Sequence, residues 1–211
     1  MIENYVKITP GHWYQEYLTG SLPDYTASYS KTRYDTYNTN LAMSTLRYNV
    51  ITQTLGDFNS VLDFGYGNGS FMEYCRNQNK KVFGYDISDY PVPEGTEKID
   101  LNQLVDVDVM TFFDSLEHIP EKNLSKFLID LNTKFVCISV PWFHESQGAL
   151  WFTTWKHRRE NEHLHHFDTH GLISLLLQSG YKIIHVGNDE DIIRKPETNL
   201  PNILTIVAKK L

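Results

Sequence analysis

The sequence predicts an α/β fold in three layers, a mostly parallel sheet with helices on both faces. Three observations predict it. Short apolar runs alternate with helical stretches from residue 41 onward. A glycine-rich loop, Gly65-Tyr66-Gly67-Asn68-Gly69, joins an apolar run to a helical stretch. A second apolar run, Val82-Phe83-Gly84-Tyr85, ends on the acidic Asp86.

The elements follow in order. Leu41, Leu46, Val50, Ile51 and Leu55 recur near helical spacing and predict a helix over 41–56. A strand is expected over 60–64, a helix over 70–79 and a second strand over 81–86. A short third strand is expected near 97–99 and a fourth over 105–113, followed by a helix over 121–132. A fifth strand over 135–140 stops at Pro141. A helix over 169–179 stops at Gly180. Strands over 181–186 and 203–208 close the chain. The stretch between them holds Gly187, Asn188, Pro196 and Pro201 and reads as a hairpin connection rather than a helical crossover. An antiparallel edge strand on an otherwise parallel sheet is the expected result.

Residues 1–40 differ in composition. They carry Trp13 and the tyrosines 5, 14, 17, 25, 29, 34 and 37, with turn formers at Pro10-Gly11 and Pro23-Asp24. They read as an N-terminal extension that either packs on the core or forms a lid whose rings touch a substrate. Residues 41–211 read as the main domain.

The chain has 211 residues, 41% hydrophobic and 21% charged, which suits one globular domain with a full core. No apolar run approaches the roughly 18 residues of a membrane-spanning helix. The N-terminus lacks the charged-then-apolar layout of a signal peptide. Two cysteines are too few for a disulfide framework and read as reduced thiols, so a cytoplasmic location is expected. The net charge of -7 disfavours general binding to duplex DNA, whose affinity comes mainly from neutralised phosphates. The dense basic run Lys156-His157-Arg158-Arg159 reads as a solvated or substrate-flanking segment.

The glycine loop carries the sharpest signal. Glycines let a backbone turn tightly and approach a ligand without a Cβ clash. A dinucleotide fingerprint would place its third glycine at position 70, which is Ser70; here it is Gly69. That spacing disfavours a nicotinamide-dependent oxidoreductase. Asp63-Phe64-Gly65-Tyr66-Gly67-Asn68-Gly69 instead resembles the first motif of methyltransferases that use S-adenosylmethionine (SAM). Other segments extend the resemblance. Asp86 ends the second strand and Ile87 follows it. Ile99-Asp100-Leu101-Asn102 resembles the third motif. Asp114-Ser115-Leu116-Glu117-His118-Ile119-Pro120 is similar to the loop after the fourth strand of ubiquinone-type and other small-molecule methyltransferases. Val140-Pro141 and His163-Leu164-His165-His166-Phe167 with Ser179-Gly180-Tyr181 resemble later segments of that group.

The resemblance covers roughly 58–209. It implies a Rossmann-like sandwich, a seven-stranded sheet with a reversed last strand, and SAM as cofactor. It implies that Asp63 and the loop from Phe64 to Gly69 meet the amino-acid part of SAM. Asp86 and Ile87 then serve the ribose, Asp100 and Leu101 the adenine, and Asp114 and Ser115 lie near the methyl group.

An acceptor hydroxyl or ammonium must lose a proton, and histidine is a suitable base. His118, His163, His165 and His166 are the catalytic candidates, each with a structural role as the alternative. The histidines and Asp168 between 157 and 170 match no named metal signature, so no metal is expected. Trp142, Phe143, Trp151, Phe152 and Trp155 either wall an acceptor site or seal the core. The expected function is methyl transfer from SAM to O or N of a small-molecule acceptor. Two alternatives stay open: a non-catalytic SAM-binding subunit, and a nucleic-acid or protein methyltransferase. Asp114-Ser115-Leu116-Glu117 stands where DNA amino-methyltransferases carry Asn/Asp-Pro-Pro-Tyr/Phe, which disfavours that branch.

Overall fold

The computed structural model describes residues 2–25, 40–101, 103, 105–196 and 198–211. The expectations placed on Tyr29, Tyr34, Tyr37 and Asn102 lie outside these residues.

Two sheets organise the chain. The small one joins strands β1 (Tyr5–Thr9), β2 (His12–Gln15) and β8 (His165–Phe167) in the order β1-β2-β8. The large one contains β3 (Ser60–Phe64), β4 (Lys81–Tyr85), β5 (Glu97–Lys98), β6 (Val107–Phe113), β7 (Thr133–Pro141), β9 (Tyr181–Gly187) and β10 (Ile203–Lys210). Its order is β5-β4-β3-β6-β7-β10-β9. The pairs β3–β4, β3–β6, β4–β5 and β6–β7 are parallel, and β10 is antiparallel to both β7 and β9. This is the Rossmann-like seven-stranded sheet that the sequence predicts, with its last strand reversed.

One expectation is corrected. The reversed strand is not the edge: β10 lies inside the sheet and β9 takes the edge. Burial explains the exchange. Ile203 through Ala208 are buried without a break, as a strand covered on both faces requires. β9 alternates buried or half-buried positions with exposed Lys182, Ile184 and Val186, which suits an edge.

Among the described residues, five α-helices flank the sheets: α1 (Asn40–Leu55), α2 (Ser70–Asn77), α3 (Leu124–Asp130), α4 (Gly148–Thr154) and α5 (Thr169–Gln178). The period-2 alternation of the strands splits the core into two faces. Leu62, Met110, Phe112, Ile138 and Ile206 point to the side closed by Leu124 and Leu128 of α3 and Leu172 and Leu176 of α5. Val61, Val109, Phe113, Cys137 and Val207 point to the side closed by Ile51 of α1 and Phe71, Met72 and Cys75 of α2. α2 packs so closely that a Cβ at Gly84 would lie 2.6 Å from Met72 Sδ. α3 is shorter than expected, because Glu121 and Lys122 stay in the loop after Pro120, where Lys122 pairs with Glu16.

The small sheet and α4 have no counterpart among the expected elements. Tyr5, Phe143 and Phe152 form a third apolar cluster, with Trp13, Trp151 and Trp155 packed against it. Glu145 ties the β1–β2 hairpin to the main domain, accepting from Gly11 N at 2.8 Å and Trp13 Nε1 at 2.9 Å.

Candidate active site

The sheet order reverses at β3, with β4 on one side and β6 on the other. Open α/β sheets bind ligands at the carboxyl ends of the strands beside such a reversal. A cavity of about 810 Å³ lies there, at the ends of β3, β4 and β6. That volume suits a cofactor together with a small acceptor.

One end is built from the glycine loop and its neighbours: Phe64, Gly65, Tyr85, Asp86, Ile87, Ser88 and Leu101. Gly65 has φ +80°, and a Cβ there would lie 2.6 Å from Ser115 Cβ. Only glycine brings the loop this close to the β6 end. Asp86 braces the loop, its Oδ2 accepting from Gly67 N at 2.9 Å and its Oδ1 from Ser88 N at 2.8 Å. The cradle and its carboxylate therefore fit SAM, whose ribose offers hydroxyl donors.

Asp63 lies beneath the loop, outside the cavity lining. It is buried and accepts from Thr111 Oγ1 at 2.7 Å. Burial pushes its pKa up to about 6, against the opposing pull of Thr111 and Arg47, and Asp86 adds to the rise. Tyr66 turns into the core, its hydroxyl donating to Tyr90 O at 2.5 Å. Asn68 Oδ1 accepts from Ser70 N and Ser70 Oγ at the start of α2. Gly69 precedes α2 at φ +74°, and Asp100 is exposed away from the cavity while Leu101 lines it.

The other end carries charge. Asp114, at φ +52°, is gripped by Arg194 Nη1 at 2.8 and 2.7 Å and approached by Arg47 at 3.4 Å. Both arginines also bind Glu190, which is 1% exposed. Burial alone would raise the Asp114 pKa, but Arg194 and Arg47 outweigh it and hold the carboxyl below its usual range. Arg194 and Glu190 lie in the connection read as a plain hairpin, and no residue pattern there announces them. Tyr25 of the N-terminal extension, Arg159 of the basic run and Glu162 also line this end.

His118 and His163 line the cavity, with their rings edge to face and centroids 4.7 Å apart. The Tyr25 hydroxyl lies 3.0 Å from His118 Nδ1. Burial lowers the His118 pKa to about 4 and that of His163 well below its usual value, so both are neutral at pH 7. The buried Glu117 beside them is pushed well above the usual carboxyl range by burial and then by Asp114.

The structure does not bring His165 and His166 to the cavity. His165 bonds His12 at 2.9 Å within the small sheet and Ile119 O, after β6, at 3.1 Å. His166 sits among Tyr5, Phe152 and Trp155. The run from 157 to 170 scatters in the same way: Asp168 caps α5 through Gly171 N, and His170 faces Pro10 O. Phe143, Phe152 and Trp155 pack around the aromatic cluster rather than on the cavity.

A family model described as a methyltransferase domain matches residues 33–186, which include the loop, Asp86, Asp114 and both cavity histidines. The chain belongs to the methyltransferase domain family. It is a SAM-dependent methyltransferase, and SAM is its cofactor. Solved structures share the fold. A 1,6-didemethyltoxoflavin-N1-methyltransferase from Burkholderia thailandensis is 16% identical, with 99% of each chain covered and a TM-score of 0.61. Magnesium protoporphyrin IX methyltransferase from Synechocystis is 18% identical, over 82% of this chain and 86% of that one, with a TM-score of 0.56. The [4+2]-cyclase SpnF is 13% identical, over 80% and 81%, with a TM-score of 0.57. No curated protein matches the sequence. Among the described residues, no helix of this methyltransferase is long and apolar enough to cross a membrane.

Proposed function

We propose that the enzyme methylates O or N of a small-molecule acceptor inside this single cavity. The observation that carries the reading is continuity: one cavity of about 810 Å³ joins Gly65 and Asp86 at one end to His118 and His163 at the other. Phe64, Gly65, Asp86, Ile87, Leu101 and Ser115 hold SAM, with Asp63 setting the loop from below. Bound SAM supplies an electrophilic methyl group on its sulfonium. The chain's own part is positioning and exclusion of water, which supply much of the rate in such a transfer. Tyr25 closes on the acceptor end and orients His118. Arg159, Glu162 and Arg194 give that end polar partners that select the acceptor. The neutral imidazoles of His118 and His163 present lone pairs that can take its proton. The two cysteines, both buried and unpaired, agree with a reducing compartment such as the cytoplasm.

The test is calorimetric titration with SAM and S-adenosylhomocysteine, repeated on Asp86→Ala. Micromolar binding that the substitution weakens at least tenfold supports the site and opens a screen of small acceptors by S-adenosylhomocysteine release. A folded wild-type protein that binds neither compound overturns the reading.

A further inference from the structure

We propose that Glu117, His118 and His163 form a site for one divalent transition-metal cation at the acceptor end of the cavity. The three side chains come from separate places in the sequence. Glu117 and His118 sit in the 3-10 turn after β6, and His163 precedes β8. A backbone hydrogen bond from Leu164 N to Glu117 O, at 2.8 Å, locks the two segments together. One carboxylate oxygen and one nitrogen from each ring then lie within 4.8 Å of one another. Tetrahedral metal bonds of about 2.1 Å put ligand atoms about 3.4 Å apart, so the side chains close by up to about 1.4 Å around the ion.

A second observation points to a ligand. Glu117 is 1% exposed, and neither of its oxygens accepts a hydrogen bond from any described residue. His163, 4% exposed, has an Nδ1 without a hydrogen-bond partner among the described residues. Buried polar atoms are rarely left so, because the lost hydration is costly. The nearby cations are committed elsewhere: Arg194 Nη1 binds Asp114 and Glu190, and Arg159 Nη1 binds Glu162. A cation between the three side chains satisfies the orphaned atoms together.

The partners of the ligand side chains fit as well. His118 Nε2 faces Glu117 Oε1 at 3.9 Å, while its Nδ1 meets the Tyr25 hydroxyl. A metal-bound histidine commonly donates its other N–H to an oxygen, which fixes the ring and its tautomer. Two imidazoles and one carboxylate suit zinc, iron, manganese or cobalt, and leave coordination positions open. His118 and His163 line the cavity, so those positions admit water or an acceptor oxygen. Metal binding stands apart from the methyltransferase reading; only the metal's role toward an acceptor rests on it. In that role the cation takes up the His118 and His163 lone pairs and replaces them as the proton-loosening group, and it favours an oxygen acceptor, because it acidifies a bound hydroxyl and orients it.

The test uses the full chain, stripped with a chelator and titrated with Zn²⁺ by calorimetry and with Co²⁺ by visible absorption. One ion per chain is expected, with cobalt d–d bands that show nitrogen and oxygen ligation. Glu117→Gln and His163→Ala should each weaken binding at least a hundredfold, and His166→Leu, outside the cluster, should leave it unchanged. Tyr25→Phe, which removes no ligand, should weaken it about tenfold and guards against misfolding of the ligand variants. A folded wild-type protein that takes up neither ion, or binding indifferent to all three site substitutions, overturns the proposal. A parallel S-adenosylhomocysteine titration separates the two readings. Cofactor binding without metal sinks only the metal site, and metal without cofactor sinks only the methyltransferase site.

Discussion

The backbone N–H of Leu164 donates to the carbonyl oxygen of Glu117 over 2.8 Å. This bond ties the loop after β6 to the segment before β8, and it sets His118 against His163 across the cavity. The same segment continues into the small sheet, where His165 and Phe167 pair with β2. The His118–His163 end of the cavity is thus braced by the N-terminal hairpin as well as by the main sheet.

Gly65→Ala should abolish tight cofactor binding while the fold survives. The added methyl group must sit at φ +80° and 2.6 Å from Ser115 Cβ. At least a tenfold loss of S-adenosylhomocysteine affinity is expected by calorimetry, with an unchanged far-ultraviolet circular dichroism spectrum. Adding Ser115→Gly removes the clash but not the backbone strain, so it should recover only part of the affinity. Full affinity in the single variant would show that the loop does not approach the ligand here.

Asp63→Asn should stabilise the cofactor-free protein at neutral pH. Burial raises the folded pKa of Asp63 to about 6 from its ordinary value of 3.8. The folded state therefore holds the proton more tightly than the unfolded chain. Stability from this group is full below the unfolded pKa and is lost as pH rises through about 6. The groups that bear on it are Arg47, Asp86 and the Thr111 hydroxyl. Asparagine keeps an acceptor for Thr111 and carries no charge. Urea unfolding at pH 5 and pH 8 should show a wild-type decline that the variant lacks; identical pH slopes would contradict the assignment.

Arg194→Met should destabilise the protein by about 3 kcal/mol, because it strips Asp114 of its principal partner and leaves the buried Glu190 with Arg47 alone. Pairing it with Glu190→Gln should restore part of the loss, since one buried charge is then removed with its partner. Denaturant midpoints of the two single variants and the double variant measure the coupling. Strict additivity would mean that the two side chains do not form one network.

His166→Leu separates the buried histidines from the cavity histidines. His166 is enclosed by aromatic rings, and its Nε2 has no hydrogen-bond partner among the described residues. Removing that unsatisfied atom should hold stability within about 1 kcal/mol and leave S-adenosylhomocysteine affinity within twofold. A large loss of cofactor affinity would place His166 in the functional machinery after all.

The sequence by itself determined the strand–helix alternation, the loop from Gly65 to Gly69, Asp86 and the reversed last strand. These are local signals: period, turn chemistry and the end of an apolar run are written in neighbouring residues. Tertiary structure decided the rest. Only the pairing of β10 with both β7 and β9 put the antiparallel strand inside the sheet. His163 and His165 are two residues apart in one short segment, yet one lines the cavity and the other is sealed against His12. His163 lies in the segment before β8 while His165 is a strand residue paired with Tyr14 of β2, so distant residues decide what covers each ring. Arg194, Tyr25 and Glu117 gained their places in the same way, from contacts made across the chain that no local pattern records.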